Sequence, residues 1–156
     1  LSLHDALPIY LMKKANDLGS SIMLPVDFMA GDSFSAEAKT KVLSAEEFSS
    51  PWMALDIGPK TIDLYVETLQ KMKTVVWNGP MGVFEMEPFS KGTYAIAKAM
   101  ASLNATTVIG GGESASVVDQ LGIGDKFSHV STGGGASLEM LEGMILPGVA
   151  ILADKE

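Results

Sequence analysis

Past its opening stretch, the chain alternates short runs of continuously apolar residues with stretches where apolar side chains recur every three or four positions. Six runs read as strands: Ser21–Val26, Trp52–Ile57, Thr74–Trp77, Thr106–Ile109, Phe127–Ser131 and a short last one at Gly148–Leu152. They are apolar along their length rather than alternating, the pattern of strands buried on both faces of a parallel sheet. A helix ending at Gly19 precedes the first run. Pro59 stands just before a helix over Lys60–Met72, where Ile62, Tyr65, Val66, Leu69 and Met72 form one stripe. Pro88 opens another, carrying Phe89, Ile96, Ala97, Met100 and Leu103. Proline suits the first helical position because its absent N–H has no intrahelical acceptor there anyway. Shorter helices are predicted at Ser114–Leu121 and Ala136–Leu141, the second stopped by Gly143. This strand–loop–helix order predicts right-handed crossovers and an α/β layered fold. The first nine residues, LSLHDALPI, show no periodicity continuous with the rest of the chain. Residues 1–9 are therefore read as a non-native junction, and 10–156 as one domain or part of one.

Composition narrows the functional classes. A chain of 156 residues is long enough for one ordinary domain and too short for two comfortable ones. Eleven Lys+Arg against nineteen Asp+Glu leave a net charge of −8, which argues against non-specific nucleic-acid or anionic-membrane binding. A small anion held by backbone amides stays possible, because helix N-termini attract anions without basic side chains. With no cysteine there is no disulfide, thiolate metal site or cysteine nucleophile. No apolar stretch approaches the ~18 residues of a membrane helix; Met144–Leu152 is short and broken by Pro147 and Gly148. The N-terminus, which begins with Leu, has no basic region followed by an apolar one, so no signal peptide is expected.

Chemistry concentrates where the chain leaves its strands through glycine. The exits are Leu55-Asp56-Ile57-Gly58-Pro59, Trp77-Asn78-Gly79-Pro80-Met81-Gly82, Gly110-Gly111-Gly112-Glu113-Ser114 and Ser131-Thr132-Gly133-Gly134-Gly135-Ala136. In one parallel sheet all four would lie on a single edge, where open α/β folds bind ligands. Glycine permits close backbone approach and positive φ. Two of the exits are triple glycines feeding helix N-termini, whose free N–H groups favour phosphate. Alone, either loop reads as a tight turn; the pair points to a phosphate site.

Standard motifs fit poorly. There is no G-x-x-x-x-G-K-[ST] loop and no G-x-S-x-G elbow. Gly110, Gly112 and Ala115 match the loose dinucleotide pattern, but the acid expected about twenty residues on is replaced by Ser131 and Thr132, which disfavours a dehydrogenase. Glu113 opens a helix, either as a dipole partner or as a Mg²⁺ ligand beside phosphates. Glu85 either accepts from ribose hydroxyls or is merely solvated. His4 and His129 receive no role. The ten methionines fall mostly at helical spacing or beside apolar runs, as core filling.

Taken together, Trp77-Asn78-Gly79-Pro80-Met81-Gly82-Val83-Phe84-Glu85, Gly110-Gly111-Gly112-Glu113-Ser114 and Ser128–Glu139 (SHVSTGGGASLE) strongly resemble phosphoglycerate kinases. Leu24–Asp27, Leu55–Thr61, Leu141–Gly143 and Leu146–Val149 fit that family in the same order, so the likeness runs from about Tyr10 to the C-terminus. It implies a Rossmann-like parallel sheet with helices on both faces, truncated at its N-terminal side. It also implies the later part of a nucleotide-binding domain, without the phosphoglycerate-binding domain or the lysine-bearing loop of the family. The implied reaction is reversible phosphoryl transfer between 1,3-bisphosphoglycerate and Mg·ADP, giving 3-phosphoglycerate and ATP in glycolysis. That setting is cytoplasmic, and the complete enzyme is a monomer.

Carried over by position, Leu55, Asn78, Pro80 and Val83 would line the adenosine pocket, with Glu85 on the ribose. Gly110, Gly111, Gly112, Glu113 and Ser114 would hold phosphates, with Glu113 on Mg²⁺. Gly112, Thr132, Gly133 and Gly134 would face the phosphoryl group in transfer. Two positions depart from the family pattern: Glu113 stands where Asp is usual, and Ala54 where Gly is common. The resemblance implies an enzyme portion that is inactive alone; the competing readings are a stand-alone nucleotide-binding module and the disfavoured dehydrogenase-like domain.

Overall fold

The structure is a computed structural model that describes residues 3–152. Its elements run α1 (Leu3–Asp17), β1 (Asp27–Gly31), β2 (Thr40–Ser44), β3 (Met53–Ile57), α2 (Pro59–Leu69), β4 (Thr74–Asn78), α3 (Lys91–Ala101), β5 (Thr106–Gly110), α4 (Gly112–Gln120), β6 (His129–Ser131), α5 (Gly134–Leu141) and α6 (Pro147–Ala150). The chain is α/β, but it holds two sheets of three strands each.

The parallel sheet is the expected one: β4, β5 and β6 lie side by side in that order, Trp77 in register with Ile109, and Ile109 with Val130. Helices flank it, with uneven burial. Trp77, Thr107 and Ile109 are buried, and the core beneath them also contains Phe84, Ile96, Met100, Val117 and Phe127. The opposite face carries Val76, Val108 and His129, of which Val76 is 38% exposed.

The second sheet corrects the expectation of four parallel exits. β3 does not join the parallel sheet; β1 pairs antiparallel with both β2 and β3. The β1–β2 reversal is closed by the Asp32 N–H on the Lys39 carbonyl (3.2 Å) and the Lys39 N–H on Asp32 Oδ1 (3.0 Å). Apolarity alone cannot tell the two pairings apart, since a half-exposed strand such as Met53–Ile57 serves either. β1 and β2 themselves escape the apolar-run criterion, because β2 is mostly exposed.

Two further expectations fail. Ser21–Val26 forms no strand; Ile22, Leu24 and Val26 are exposed, and a run apolar on both faces pairs only where neighbours bury both faces. Gly148–Leu152 is not a strand either. Pro147 starts the short helix α6 instead, as its fixed φ favours, and Ile151 is 84% exposed. Residues 3–9 continue into α1 as one helix that contains Pro8, despite their lack of apolar periodicity; Leu1 and Ser2 lie outside the described residues.

α2 is anchored from outside itself. Its N-cap, Gly58, has no side chain, and the buried Asp27 carboxylate of β1 caps the helix instead. It accepts the Lys60 N–H at 3.0 Å and the Thr61 N–H at 2.8 Å, with the Thr61 hydroxyl at 2.7 Å. Burial raises its pKa, but the Thr61 hydroxyl and the Thr61 and Lys60 N–H groups outweigh that and hold it below the usual carboxylate range. Gly58 must be glycine, because a Cβ there would sit 2.4 Å from Asp27 Cγ.

Candidate functional site

Parallel strands end on a common edge, and β4, β5 and β6 deliver three loops to it: 78–85, 110–114 and 131–135. The loops are bonded to one another. The Gly111 N–H donates to the Ser131 carbonyl at 3.0 Å, and the Gly79 N–H donates to Ser114 Oγ at 2.8 Å. Gly79 and Gly111 have φ of 102° and 95°, the left-handed side that glycine alone adopts freely. Contact between the two triple-glycine loops is direct: a Cβ on Gly134 would lie 2.9 Å from Gly111 Cα, 3.1 Å from Asn78 Oδ1 and 3.2 Å from Gly111 N. The N-termini of α4 and α5 therefore start side by side. Their first-turn N–H groups have no acceptor within their own helices. Gly112, Glu113, Thr132, Gly133 and Gly135 are exposed on this edge.

The sequence-predicted residues divide by placement. Asn78, Gly110, Gly111, Gly112, Thr132, Gly133 and Gly134 gather on the edge, with Glu113 exposed in the first turn of α4. Pro80 and Val83 follow in the 78–85 loop, half-buried, and Glu85 is exposed beyond them. Two residues stand behind the surface. Leu55 is 7% exposed and packs toward Phe89, the two side chains closing on Gly31; its carbonyl accepts the Val83 N–H at 2.8 Å. Ser114 is fully buried and its hydroxyl is engaged with Gly79, so it braces the loops from beneath. Ala54 is exposed on β3.

Two functional supports are not legible by motif. Thr93 of α3 is fully buried, and its hydroxyl accepts the Met81 and Gly82 N–H groups at 3.0 and 3.3 Å, fixing the middle of the 78–85 loop. Asp56, at the end of β3, is 4% exposed; it accepts the Gly92 N–H at 2.7 Å and the Ile57 N–H at 2.9 Å. The one signal for it in the sequence is an acid enclosed by Leu55 and Ile57.

Burial pushes the Asp56 carboxyl up to about 6, against the pull of the Gly92 and Ile57 N–H groups. Its ordinary value is 3.8, so the folded chain binds this proton more tightly than the unfolded chain does. The sign follows: Asp56 stabilises the fold increasingly as pH falls from 6 towards 4, and the buried charge is a penalty above 6. Asp27, shifted downward, works the other way and loses its contribution only below its ordinary value of 3.8. The expected result is that wild type gains stability relative to Asp56→Asn between about pH 7 and about pH 4.5 in urea unfolding. A pH-independent difference contradicts it.

An apolar hollow lies elsewhere. A groove of about 290 Å³ runs along the outer edge of β4, lined by Met23, Tyr65, Leu69, Val75, Trp77 and Met81 among others. Trp77 Nε1 is buried and has no acceptor among the described residues. The groove is apolar, without the converging polar groups that orient a charged ligand, whereas the glycine edge is an open rim of backbone donors.

The family model described as phosphoglycerate kinase matches residues 6–144. The chain is 55% identical over 149 residues to the phosphoglycerate kinase of Chloroflexus aggregans, covering 94% of this chain and 37% of that protein. It is 55% identical over 145 residues to that of Clostridium tetani, covering 93% and 36%. Among solved structures, phosphoglycerate kinase from Coxiella burnetii superposes with a TM-score of 0.86 at 41% identity, over 94% of this chain and 38% of that one. That from Pyrococcus horikoshii gives 0.69 at 32% identity, over 91% and 38%. The chain thus spans less than two fifths of the length of the relatives it matches. With the family model covering residues 6–144 and relatives 55% identical across nearly all of it, this chain belongs to the phosphoglycerate kinase family.

Proposed function

We propose that residues 10–156 are the later part of the nucleotide-binding domain of an enzyme that moves a phosphoryl group reversibly between 1,3-bisphosphoglycerate and ADP. The observation that carries this reading is the contact of Gly134 with Gly111, which sets two helix N-termini on one rim. Phosphoryl transfer asks for positioning and charge stabilisation more than covalent work. The N–H groups at the starts of α4 and α5 hold the phosphate oxygens and take up charge as it develops on them. Gly112, Thr132, Gly133 and Gly134 stand nearest the group in transfer. Pro80 and Val83 flank the adenosine, Leu55 supports them from behind, and Glu85 accepts from the ribose.

Mg²⁺ fits this donor set as a shared ion rather than a resident one. The described residues contain no group of three or more His, Asp or Glu that could hold a metal. Mg²⁺ ordinarily takes one or two carboxylates together with substrate phosphates, and Glu113 supplies one exposed carboxylate beside the rim. Glu113 would hold the ion, which would supply neutralisation of the phosphate charge. Glu113 reaches one methylene farther than the Asp usual in the family, which places its carboxylate farther from α4.

The chain contains no arginine, and its lysines are absent from the 78–85, 110–114 and 131–135 loops. The cationic part of transition-state stabilisation then comes from outside residues 10–156. The expected result is that this chain alone makes no ATP from 1,3-bisphosphoglycerate and ADP in a coupled assay, while the complete protein does. Turnover by the isolated chain overturns the division of labour; a complete protein without transfer to ADP overturns the function. The stand-alone module is not favoured, because the likeness to kinases runs through 94% of the chain. The same reading places the complete enzyme in the cytoplasm as a monomer, with no nucleic-acid or membrane partner; no described helix is long and apolar enough to cross a membrane.

A further inference from the structure

Three segments close on the Asp56 carboxylate. From its own strand, the preceding carbonyl of Leu55 accepts the Val83 N–H at 2.8 Å. From α3, the Gly92 N–H donates to Oδ2 at 2.7 Å, and Thr93, the next residue, holds the Met81 and Gly82 N–H groups. From the 78–85 loop, Gly82 passes so close that a Cβ there would lie 2.5 Å from Asp56 Oδ1 and 2.6 Å from Asp56 Cα. Gly92 is as tight, its Cβ falling 2.3 Å from Oδ1. The loop is therefore gripped from two sides, by β3 through Leu55 and by α3 through Thr93. Asp56 is the side chain that joins those two sides.

A buried carboxylate held by two backbone N–H groups is a costly choice for a purely packing position. An apolar side chain would fill the same space, but it would leave the Gly92 N–H without an acceptor and α3 untied from β3. We propose that Asp56 is a positioning residue: by tying the start of α3 to the end of β3, it sets the 78–85 loop that presents Pro80, Val83 and Glu85. It touches no ligand and acts through the loop. Its consequence for nucleotide binding rests on the function proposed above, whereas its effect on loop order does not.

The test has two arms. In the first, amide hydrogen exchange of this chain is followed at Val83 and Met81, with a β5 amide such as Ile109 as the internal standard. In Asp56→Ala, exchange at Val83 and Met81 is expected to rise about tenfold or more relative to Ile109. In Asp56→Asn, whose amide oxygen still accepts the Gly92 N–H but leaves the Ile57 N–H unpaired, the rise is expected to be smaller. Exchange that changes at all three amides in step, or at none, overturns the proposal. If Asp56→Ala does not fold, Asp56→Asn decides by the same ratio: faster Val83 and Met81 exchange supports it, an unchanged ratio overturns it. In the second arm, the complete protein carrying Asp56→Asn is expected to show a several-fold higher KM for ADP with the KM for the phosphoglycerate substrate unchanged. Equal rises in both overturn the proposal. A wild-type protein that transfers nothing to ADP overturns the function instead and leaves the exchange arm intact.

Discussion

Gly92→Ala is expected to destabilise the chain by about 3–5 kcal/mol in urea unfolding, as an overpacked core site with a disturbed buried polar contact does. The new methyl carbon would fall 2.3 Å from Asp56 Oδ1, 2.4 Å from Ile57 Cγ1 and 2.9 Å from Asp56 Cγ. Neither neighbour has room to yield. Ile57 is 6% exposed within the core, and Asp56 is held by the very N–H that the substituted residue carries. Relief requires α3 to draw back, which breaks the Gly92–Asp56 bond and lifts Thr93 from the loop. The intrinsic gain from alanine over glycine in a helix is only about 1 kcal/mol, too small to compensate. Gly135→Ala is the matched control: it lies in the first turn of α5 with nothing within 4 Å of a new Cβ. It is expected to stay within about 1 kcal/mol of wild type. Equal effects at the two positions would show that the contact around Asp56 is not tight.

The second large effect is on binding. Gly134→Ala is expected to weaken Mg·ADP binding by the complete protein about tenfold to a hundredfold while leaving the unfolding midpoint nearly unchanged. The added carbon meets backbone on one side, Gly111 Cα at 2.9 Å and Gly111 N at 3.2 Å, and Asn78 Oδ1 at 3.1 Å on the other. Gly111 cannot rotate away, since its φ of 95° is already the conformation its turn requires. The loops before α4 and α5 must then separate by a few tenths of an ångström, and under the proposed function the two rows of N–H groups no longer converge on one phosphate chain. The core is not involved, because Gly134 sits at the rim and Gly135 beside it is exposed. Isothermal titration distinguishes the outcomes: unchanged affinity means that the two N-termini do not act on one ligand.

Much of this is legible in the sequence. Thr74–Trp77 and Thr106–Ile109 carry apolar residues on both faces, the pattern of strands in a covered parallel sheet. The helix stripes through Ile62 and Leu69, and through Ile96 and Met100, depend only on a period of 3.6 residues. The triple-glycine exits are visible because glycine is an unusual choice repeated at equivalent places. Less was legible where a residue's meaning depends on a distant neighbour. Ser21–Val26 has the composition of a strand, but a strand exists only through hydrogen bonds to another chain segment, and Pro25 and its predecessors have none of the required pairing. Trp52–Ile57 holds its strand but pairs antiparallel, because β1 returns beside it. Leu55 and Ser114 are expected at a site surface, but the fold buries both behind it.

The sequence alone therefore determined the α/β class, the helical stripes, the glycine exits and the kinship they carry, since each is a property of residues close together along the chain. Tertiary structure decided that β3 belongs to a separate sheet, that Gly134 meets Gly111, and that Asp56 and Thr93 grip the loop between them. Those are facts about atoms dozens of residues apart, and no local period or propensity encodes the distance between two such points. Only the packed chain does.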